Sequence, residues 1–371
     1  MKDTLLKRIE LWFRRLLILL LGCIFRRKHE LPNNVDFNTC KFLFIRQDLI
    51  GDVLISTPLF AVLKKHYPDA IIDVLLSVKN QFVLENDPLI RKRWVYNKKL
   101  RDVISIINSV RNEHYDFAID LMDNPSTTST IFCLLANAKW NIGIAKDNSY
   151  AYDITVPMLS RQNTHIIDRI AQLLTPFGIN PAVEKLSVRY FPRHESENYA
   201  EQFLKKNNLQ NYPIIGVNIS AGGNVRFWGI ENFKKLLNII HDSYPEYKVL
   251  LLYKPADEKR AQMIVESNND VIISPVTSSF DQFASLVKRT SLLITPDTSA
   301  VHLASAFGIS ALVLYVQSDK TLRIWEPYNI DYEALITDVD DLSTISVASV
   351  KDSLAKLIAR QRNKKHSLKN D

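Results

Sequence analysis

An arginine and two carboxylates crowd one short segment, Arg46-Gln47-Asp48-Leu49-Ile50-Gly51-Asp52-Val53, which runs on to Ser56-Thr57-Pro58. Carboxylates held in place can take a proton from a hydroxyl. The apolar run Phe42 to Ile45 before the segment reads as a buried strand, and Leu59, Val62 and Leu63 after it continue a helical pattern. The segment is therefore a strand-to-helix turn, and ligands of α/β sheets bind at the carboxyl ends of the strands. A plainer reading makes Asp48 a helix cap and Gly51 the residue of the bend.

A second segment repeats the arrangement. The apolar strand Leu292-Leu293-Ile294-Thr295 leads into Pro296-Asp297-Thr298-Ser299-Ala300-Val301-His302-Leu303-Ala304-Ser305-Ala306-Phe307-Gly308. Asp297 is expected to cap a helix that stops at Gly308. Free N–H groups, the hydroxyls of Thr298 and Ser299, and His302 one turn in would suit a phosphate or diphosphate. The plainer reading is a capped core helix with a hydrogen-bonded histidine.

Together the two segments resemble the heptosyltransferases of glycosyltransferase family 9. That family carries R-x-(S/D)-x-x-G-D-(V/I) followed by T-x-P or T-P near its start, and D-T-G-x-x-H-L-A-x-A late in the chain. Here these read Arg46 to Pro58 and Asp297 to Ala306, and the resemblance spans roughly residues 41 to 330. It implies a GT-B fold, two facing Rossmann-like domains with a central cleft. It also implies an inverting transfer from a nucleotide sugar, ADP-heptose, to a lipid-linked acceptor such as lipopolysaccharide inner core, without a cofactor or a required metal.

Such a transfer needs a base for the acceptor hydroxyl, stabilisation of the departing diphosphate, and alignment of the two substrates. The resemblance puts the base at Asp52, against the alternative of a carboxylate that only caps the helix. Arg46, Asp48 and Gly51 are then structural or on the acceptor side. The stretch Asn218-Ile219-Ser220-Ala221-Gly222-Gly223-Asn224-Val225-Arg226-Phe227-Trp228 resembles the family's loop ending in K/R-x-W. It places Ser220 and Arg226 at the donor, with Arg226 on the phosphates. Asp257 matches an acidic position near the donor ribose, although an acid at a helix start has a plainer explanation. Asp297, Thr298, Ser299 and His302 complete the donor side. Two positions depart from the pattern: Ser299 replaces the glycine of D-T-G, and Tyr315-Val316-Gln317-Ser318 replaces F-G-P-T. Both bear on the donor sugar more than on the reaction. No clustered His/Cys or D-x-D spacing suggests a metal, and no G-x-G-x-x-G suggests a dehydrogenase. Two competing readings are a related transferase using another nucleotide sugar for a surface glycan, and a non-catalytic, membrane-bound assembly partner.

The elements needed to position these groups are legible as alternating strands and helices. Strands are expected at Phe42–Arg46, Ile71–Leu76, Trp94–Tyr96, Tyr115–Leu121 and Trp140–Ile144. In the second half they are expected at Ile214–Ile219, Val249–Leu252, Val271–Ile273, Leu292–Thr295 and Ala311–Tyr315. Strand–helix alternation in both halves predicts two parallel sheets. Pro176, Gly178, Pro181 and Pro192 mark the interdomain stretch. The expected organisation is a helix and linker over 1–38, an acceptor domain over 39–180, a donor domain over 181–342, and a C-terminal helix and basic tail over 343–371. The helix over Ser343–Arg360 is expected to cross back to the first domain.

The 371 residues, 46% apolar and 23% charged, suit two globular domains. Cys23, Cys40 and Cys133 have neither metal nor disulfide spacing, which points to a reducing compartment. The net charge of +7 is uneven: residues 1–35 and 356–371 each carry +5, and the body between them −3. A nucleic-acid binder would carry its basic residues across the folded body. At the N-terminus Leu5, Ile9, Trp12, Leu16 and Leu20 recur at helical spacing opposite Lys7, Arg8, Arg14 and Arg15, and Arg26-Arg27-Lys28 follow. The apolar ten residues from Leu16 span ~15 Å, half a hydrocarbon core. This pattern predicts an amphipathic helix on an anionic membrane surface and a cytoplasmic protein attached to the inner face of the membrane. Packing on the protein's own body and a secretory signal are the alternatives.

Overall fold

In the computed structural model, the described residues are 30–370 apart from 33, 98, 267, 269, 318, 320 and 338, together with 12, 13, 16, 17 and 20. They form two compact units that divide between Leu186 and Ser187.

The first unit is built on β1 (Lys41–Ile45), β2 (Ile71–Ser77), β3 (Lys92–Tyr96), β4 (Phe117–Asp120), β5 (Trp140–Ile144) and β6 (Ile154–Val156). Their order in the sheet is β3-β2-β1-β4-β5-β6, and every pairing is parallel. The second unit is built on β7 (Ile214–Asn218), β8 (Lys248–Leu252), β9 (Val271–Ile273), β10 (Leu292–Pro296), β11 (Ser310–Val316) and β12 (Tyr332–Thr337). Its order is β12-β11-β10-β7-β8-β9, again all parallel. Counted within each unit, both sheets have the strand order 3-2-1-4-5-6 of a doubly wound nucleotide-binding fold. The order reverses between β1 and β4 in one unit and between β7 and β10 in the other. Those switch points are where such sheets hold ligands.

Two of the four edge strands, β6 and β12, are additions to the sequence reading. Thr155 interrupts the three residues of Ile154–Val156, and Glu333 those of the mostly half-buried Tyr332–Thr337, so neither shows a continuous apolar run.

The central strands are buried on both faces, as parallel sheets between helices require. In the first unit, Phe42, Phe117 and Phe177 pack as a cluster with ring centroids 5.1–5.2 Å apart. Helix α1 (Ile50–His66) buries eleven of its residues, including Asp52 and Pro58. Pro58 has no N–H to give the Leu54 carbonyl, and Thr57 Oγ1 donates to that carbonyl instead, at 2.7 Å. The Thr-Pro pair thus keeps a buried helix intact without an orphaned carbonyl.

In the second unit the last helix, Val347–Asn370, places Val350, Leu354, Leu357 and Ile358 in the same core as Trp228, Phe233 and Leu251. Its apolar face is thus used within the second unit. Most of the expected N-terminal helix lies outside the described residues. Trp12, Phe13, Leu16, Leu17 and Leu20 are helical, and Trp12, Phe13 and Leu20 are exposed. Among the described residues no helix is long and apolar enough to cross a membrane.

Candidate active site

Each switch point is spanned by a side-chain hydrogen bond. In the first unit Arg46, the residue after β1, donates from Nη1 to the Leu121 carbonyl just beyond β4, at 2.7 Å. In the second unit Asn218, the last residue of β7, donates from Nδ2 to Thr295 Oγ1 on β10, at 2.9 Å. The sequence-derived residues collect at these two places.

Arg46 is 2% exposed. Its Nε donates to the Asp52 carbonyl at 3.0 Å. Its Nη2 lies 3.4 Å from Asp52 Oδ1, and its Nη1 3.5 Å from Asp48 Oδ2. One guanidinium therefore serves both carboxylates. Asp52 Oδ2 also accepts from Leu49 N at 3.0 Å, so Asp52 caps its own helix from the third turn position inward. The cap position itself is Leu49, not Asp48, which corrects the plainer reading of Asp48. Gly51 is the second residue of the helix and has no positive φ, so it does not make the bend.

Asp48 is set differently. Its backbone carbonyl accepts from Asn80 Nδ2 at 3.4 Å. Its Oδ1 is buried without a hydrogen-bond partner among the described residues. Burial pushes the carboxyl up to about 6; Arg46 opposes the rise, and Asp52 and Asp120 add to it.

Reasoning from sequence passed over the neighbouring groups. Asp120, the last residue of β4, is fully buried and accepts from Ser129 Oγ, Tyr152 OH and Lys146 Nζ. Asp123 is paired with Arg169 at 2.8 Å and Arg161 at 3.7 Å. The available signal was an acid, Asp120, at the end of the expected strand Tyr115–Leu121.

In the second unit, Asp297 follows β10 and its N–H donates to the Leu314 carbonyl, and the cap of the next helix is one residue further on. That role falls to Thr298, whose Oγ1 accepts from Ala300 N at 3.3 Å, and the helix runs Ser299–Phe307. Gly308 ends it at φ 68, as expected. Asp297 is left free to face Arg226, whose Nη1 is 3.8 Å from Asp297 Oδ2. Burial raises the Asp297 carboxyl above its ordinary range and Arg226 opposes that rise. His302 is buried one turn into the helix, its ring centroid 6.4 Å from that of Trp325.

Arg226 sits on a loop anchored at both ends. Ser220 Oγ accepts from Lys254 N at 2.8 Å, which ties the loop's start to the end of β8. Trp228 is fully buried against Phe233 and donates from Nε1 to the Ile345 carbonyl at 2.9 Å. Between the two anchors Gly223, at φ 148, takes a turn that a side chain would resist.

Asp257 is only 5% exposed and faces two cations, Arg260 Nη1 at 3.1 Å and Lys254 Nζ at 3.6 Å. Those cations were missed in the sequence. With Arg226 they put three positive groups around one loop, and Arg260 also stacks on Phe227 at 4.3 Å. A cluster of this kind can neutralise a diphosphate. A cavity of ≈ 260 Å³ opens beside Asp297, lined by Tyr315, Gln317, Arg323 and Trp325 among others. The Gln317 side chain spans the loop that closes it, donating to the carbonyls of Asp319 and Leu322. Among the described residues no three His, Cys, Asp or Glu side chains form a group that could hold a metal.

Two doubly wound units with polar clusters at their switch points define a glycosyltransferase of the GT-B class. Solved structures share the arrangement. A glycosyl transferase family 9 protein from Veillonella parvula aligns with a TM-score of 0.76 at 22% identity, over 89% of this chain and 100% of that one. The E. coli ADP-heptose lps heptosyltransferase II aligns with a TM-score of 0.69 at 19% identity, over 87% and 99%. In sequence, residues 103–349 match the profile of glycosyltransferase family 9 (heptosyltransferase), and the chain belongs to that family. It is 25% identical over 300 residues to lipopolysaccharide heptosyltransferase 3 of Escherichia coli K12, covering 75% of this chain and 82% of that protein. It is 20% identical over 297 residues to the lipopolysaccharide core heptosyltransferase OpsX of Haemophilus influenzae, covering 77% and 81%.

Proposed function

We propose that this glycosyltransferase moves a heptose from ADP-heptose onto a lipid-linked acceptor of the lipopolysaccharide core, with inversion at the anomeric carbon. The observation that carries the reading is the pair of occupied switch points. A base candidate, Asp52, is fixed by Arg46 in one unit, and a cationic loop at Arg226 faces Asp297 in the other. The names of the relatives supply the sugar and the acceptor.

In this reading Asp52 takes the proton of the acceptor hydroxyl as its oxygen attacks the anomeric carbon. The bond to the diphosphate breaks, and its electron pair leaves with the phosphate. Arg226 meets the charge that develops there, helped by Lys254 and by N–H groups at the start of Ser299–Phe307. Ser220, Thr298, Ser299 and His302 line the donor side. Asp257 reaches the ribose only through or beside its two cations. Attack by a hydroxyl on the face opposite the diphosphate inverts the centre.

A second reading keeps the chemistry and changes the sugar. It is favoured by Ser299 in place of glycine and by the Gln317 clasp over the cavity beside Asp297. Mass analysis of products formed from ADP-heptose and a panel of other nucleotide sugars tests both readings. A heptose added to heptose-deficient lipopolysaccharide supports the first. Transfer of another sugar supports the second, and no transfer from any donor supports an assembly partner.

A further inference from the structure

Arg46 is the only cation placed within 4 Å of Asp48 or Asp52 among the described residues, and it touches both. It is fixed at the β1–β4 switch point by the Leu121 and Asp52 carbonyls, so it cannot swing toward one carboxylate and away from the other. An ionised Asp48 offsets, by its own repulsion at Asp52, part of the attraction that Arg46 exerts there. We propose that Asp48 is a positioning residue for the transfer: through the shared guanidinium it controls how tightly Asp52 is held, and hence how readily Asp52 accepts the acceptor proton. This rests on the reading of Asp52 as the base. Asp48 itself transfers nothing; the proton passes from the acceptor hydroxyl to the Asp52 carboxylate alone.

The surroundings let Asp48 change charge near neutrality. Its Oδ1 is buried and unpartnered, which penalises the ionised form. The charged groups facing it are Arg46 from the end of β1, Asp52 from α1 and Asp120 from the end of β4. Asp120 is itself paired with Lys146 at 3.0 Å. The balance brings the Asp48 carboxyl up to about 6. Above that pH Asp48 is ionised and draws on Arg46, leaving Asp52 the better base. Below it Asp48 is neutral, its repulsion no longer offsets the attraction of Arg46 at Asp52, and turnover drops without any change in who carries the base role.

The test is the pH dependence of kcat for the full chain with ADP-heptose and heptose-deficient lipopolysaccharide, in wild type, Asp48→Asn, Asp48→Glu and Asp52→Asn. Wild type should show an inflection near pH 6. Asp48→Asn should lose that inflection and stay ~10-fold below the wild-type plateau at every pH, because it imitates the neutral carboxyl. Asp48→Glu should restore an inflection and part of the rate. An Asp48→Asn enzyme that keeps the inflection, or loses it while reaching the wild-type plateau, overturns the proposal. Full activity in Asp52→Asn instead overturns the reading of Asp52 as base, a distinct failure. The coupling is also readable without substrate. The carboxyl carbon resonance of Asp52 in ¹³C-aspartate-labelled wild type should carry a step near pH 6 that is absent from Asp48→Asn. A resonance of Asp48 that titrates below pH ~4.5 in wild type overturns the proposal even if the variant does not fold.

Discussion

Arg226 Nη1 lies 3.8 Å from Asp297 Oδ2, joining two residues 71 positions apart at one switch point. Neither motif alone shows that the cation of one loop answers the acid that follows the other strand. Removing this cation should leave the phosphate side of the donor to the weaker help of Lys254 and the helix start. Arg226→Ala is expected to weaken binding of ADP by roughly 10- to 100-fold and binding of adenosine far less, since charge-assisted contacts to phosphate are the ones lost. Isothermal titration with both ligands checks this. Equal losses for the two would move Arg226 off the phosphates.

Asp52→Asn keeps the shape of the side chain and can still accept from Leu49 N. It is expected to lower turnover by ~10²-fold or more while the affinity for ADP stays within about twofold. Rapid-quench turnover measured alongside ADP titration separates the two effects. Unchanged turnover would leave Asp52 with only its helix-capping role.

Asp48 predicts a cost in stability. Its carboxyl is held up to about 6 in the fold against an ordinary 3.8, so between those values the folded chain binds the extra proton. The contribution of Asp48 to stability should therefore be fully present below pH ~4, fall as pH rises toward 6, and stay reduced above it, which the difference between wild type and Asp48→Asn isolates from the other carboxylates. Asp48→Asn removes this loss. Its stability above pH 6 should exceed wild type by on the order of 1–3 kcal/mol, with little difference near pH 4. Urea unfolding at pH 4, 5 and 7.5 reads the trend, and a variant less stable than wild type at pH 7.5 contradicts it.

Trp228 links the core to the donor loop. Trp228→Ala empties a fully buried site and strands the Ile345 carbonyl, a loss of about 3–5 kcal/mol. The second unit should melt roughly 10 °C lower. Trp228→Phe should recover most of the stability, yet still bind ADP more weakly, because Arg226 is two residues away. Differential scanning calorimetry with ADP titration would show whether stability and affinity separate in this way. Wild-type ADP affinity in Trp228→Phe would mean the loop holds its shape without the anchor.

The exposed Trp12, Phe13 and Leu20 supply an apolar surface beside basic residues. Deleting residues 1–30 should release the protein from anionic phosphatidylglycerol vesicles and leave both units folded. Binding by the intact chain should weaken with salt but persist, since apolar burial is not screened. Co-sedimentation of both chains with vesicles decides the matter. A truncated chain that pellets as well as the full one places the contact elsewhere, and one that aggregates indicates that the helix packs on the body.

Local composition was enough to read ten of the strands, the parallel sheets they form, and the two strand-to-helix turns that carry Asp52 and Asp297. Each rests on a run of apolar residues followed by a few polar ones, and such patterns are written in consecutive positions. In Ile154–Val156 and Tyr332–Thr337 a polar residue, Thr155 or Glu333, interrupts the apolar run that the equally short Val271–Ile273 keeps, which is why the first two appear only once β5 and β11 are there to pair with them.

Charge relationships were not legible in the same way. Sequence placed Asp48, Asp52 and Arg46 close together. Only the fold determines that Arg46 faces both acids, that Asp52 is doubly held, and that Asp48 keeps an oxygen without a partner. Likewise only the fold shows that Asp297 extends the pairing with Leu314, 17 positions away, and that Thr298 caps Ser299–Phe307. Which groups are paired, buried or left with a costly charge depends on chain segments that meet in space. Electrostatics sums over those neighbours wherever they lie in the sequence.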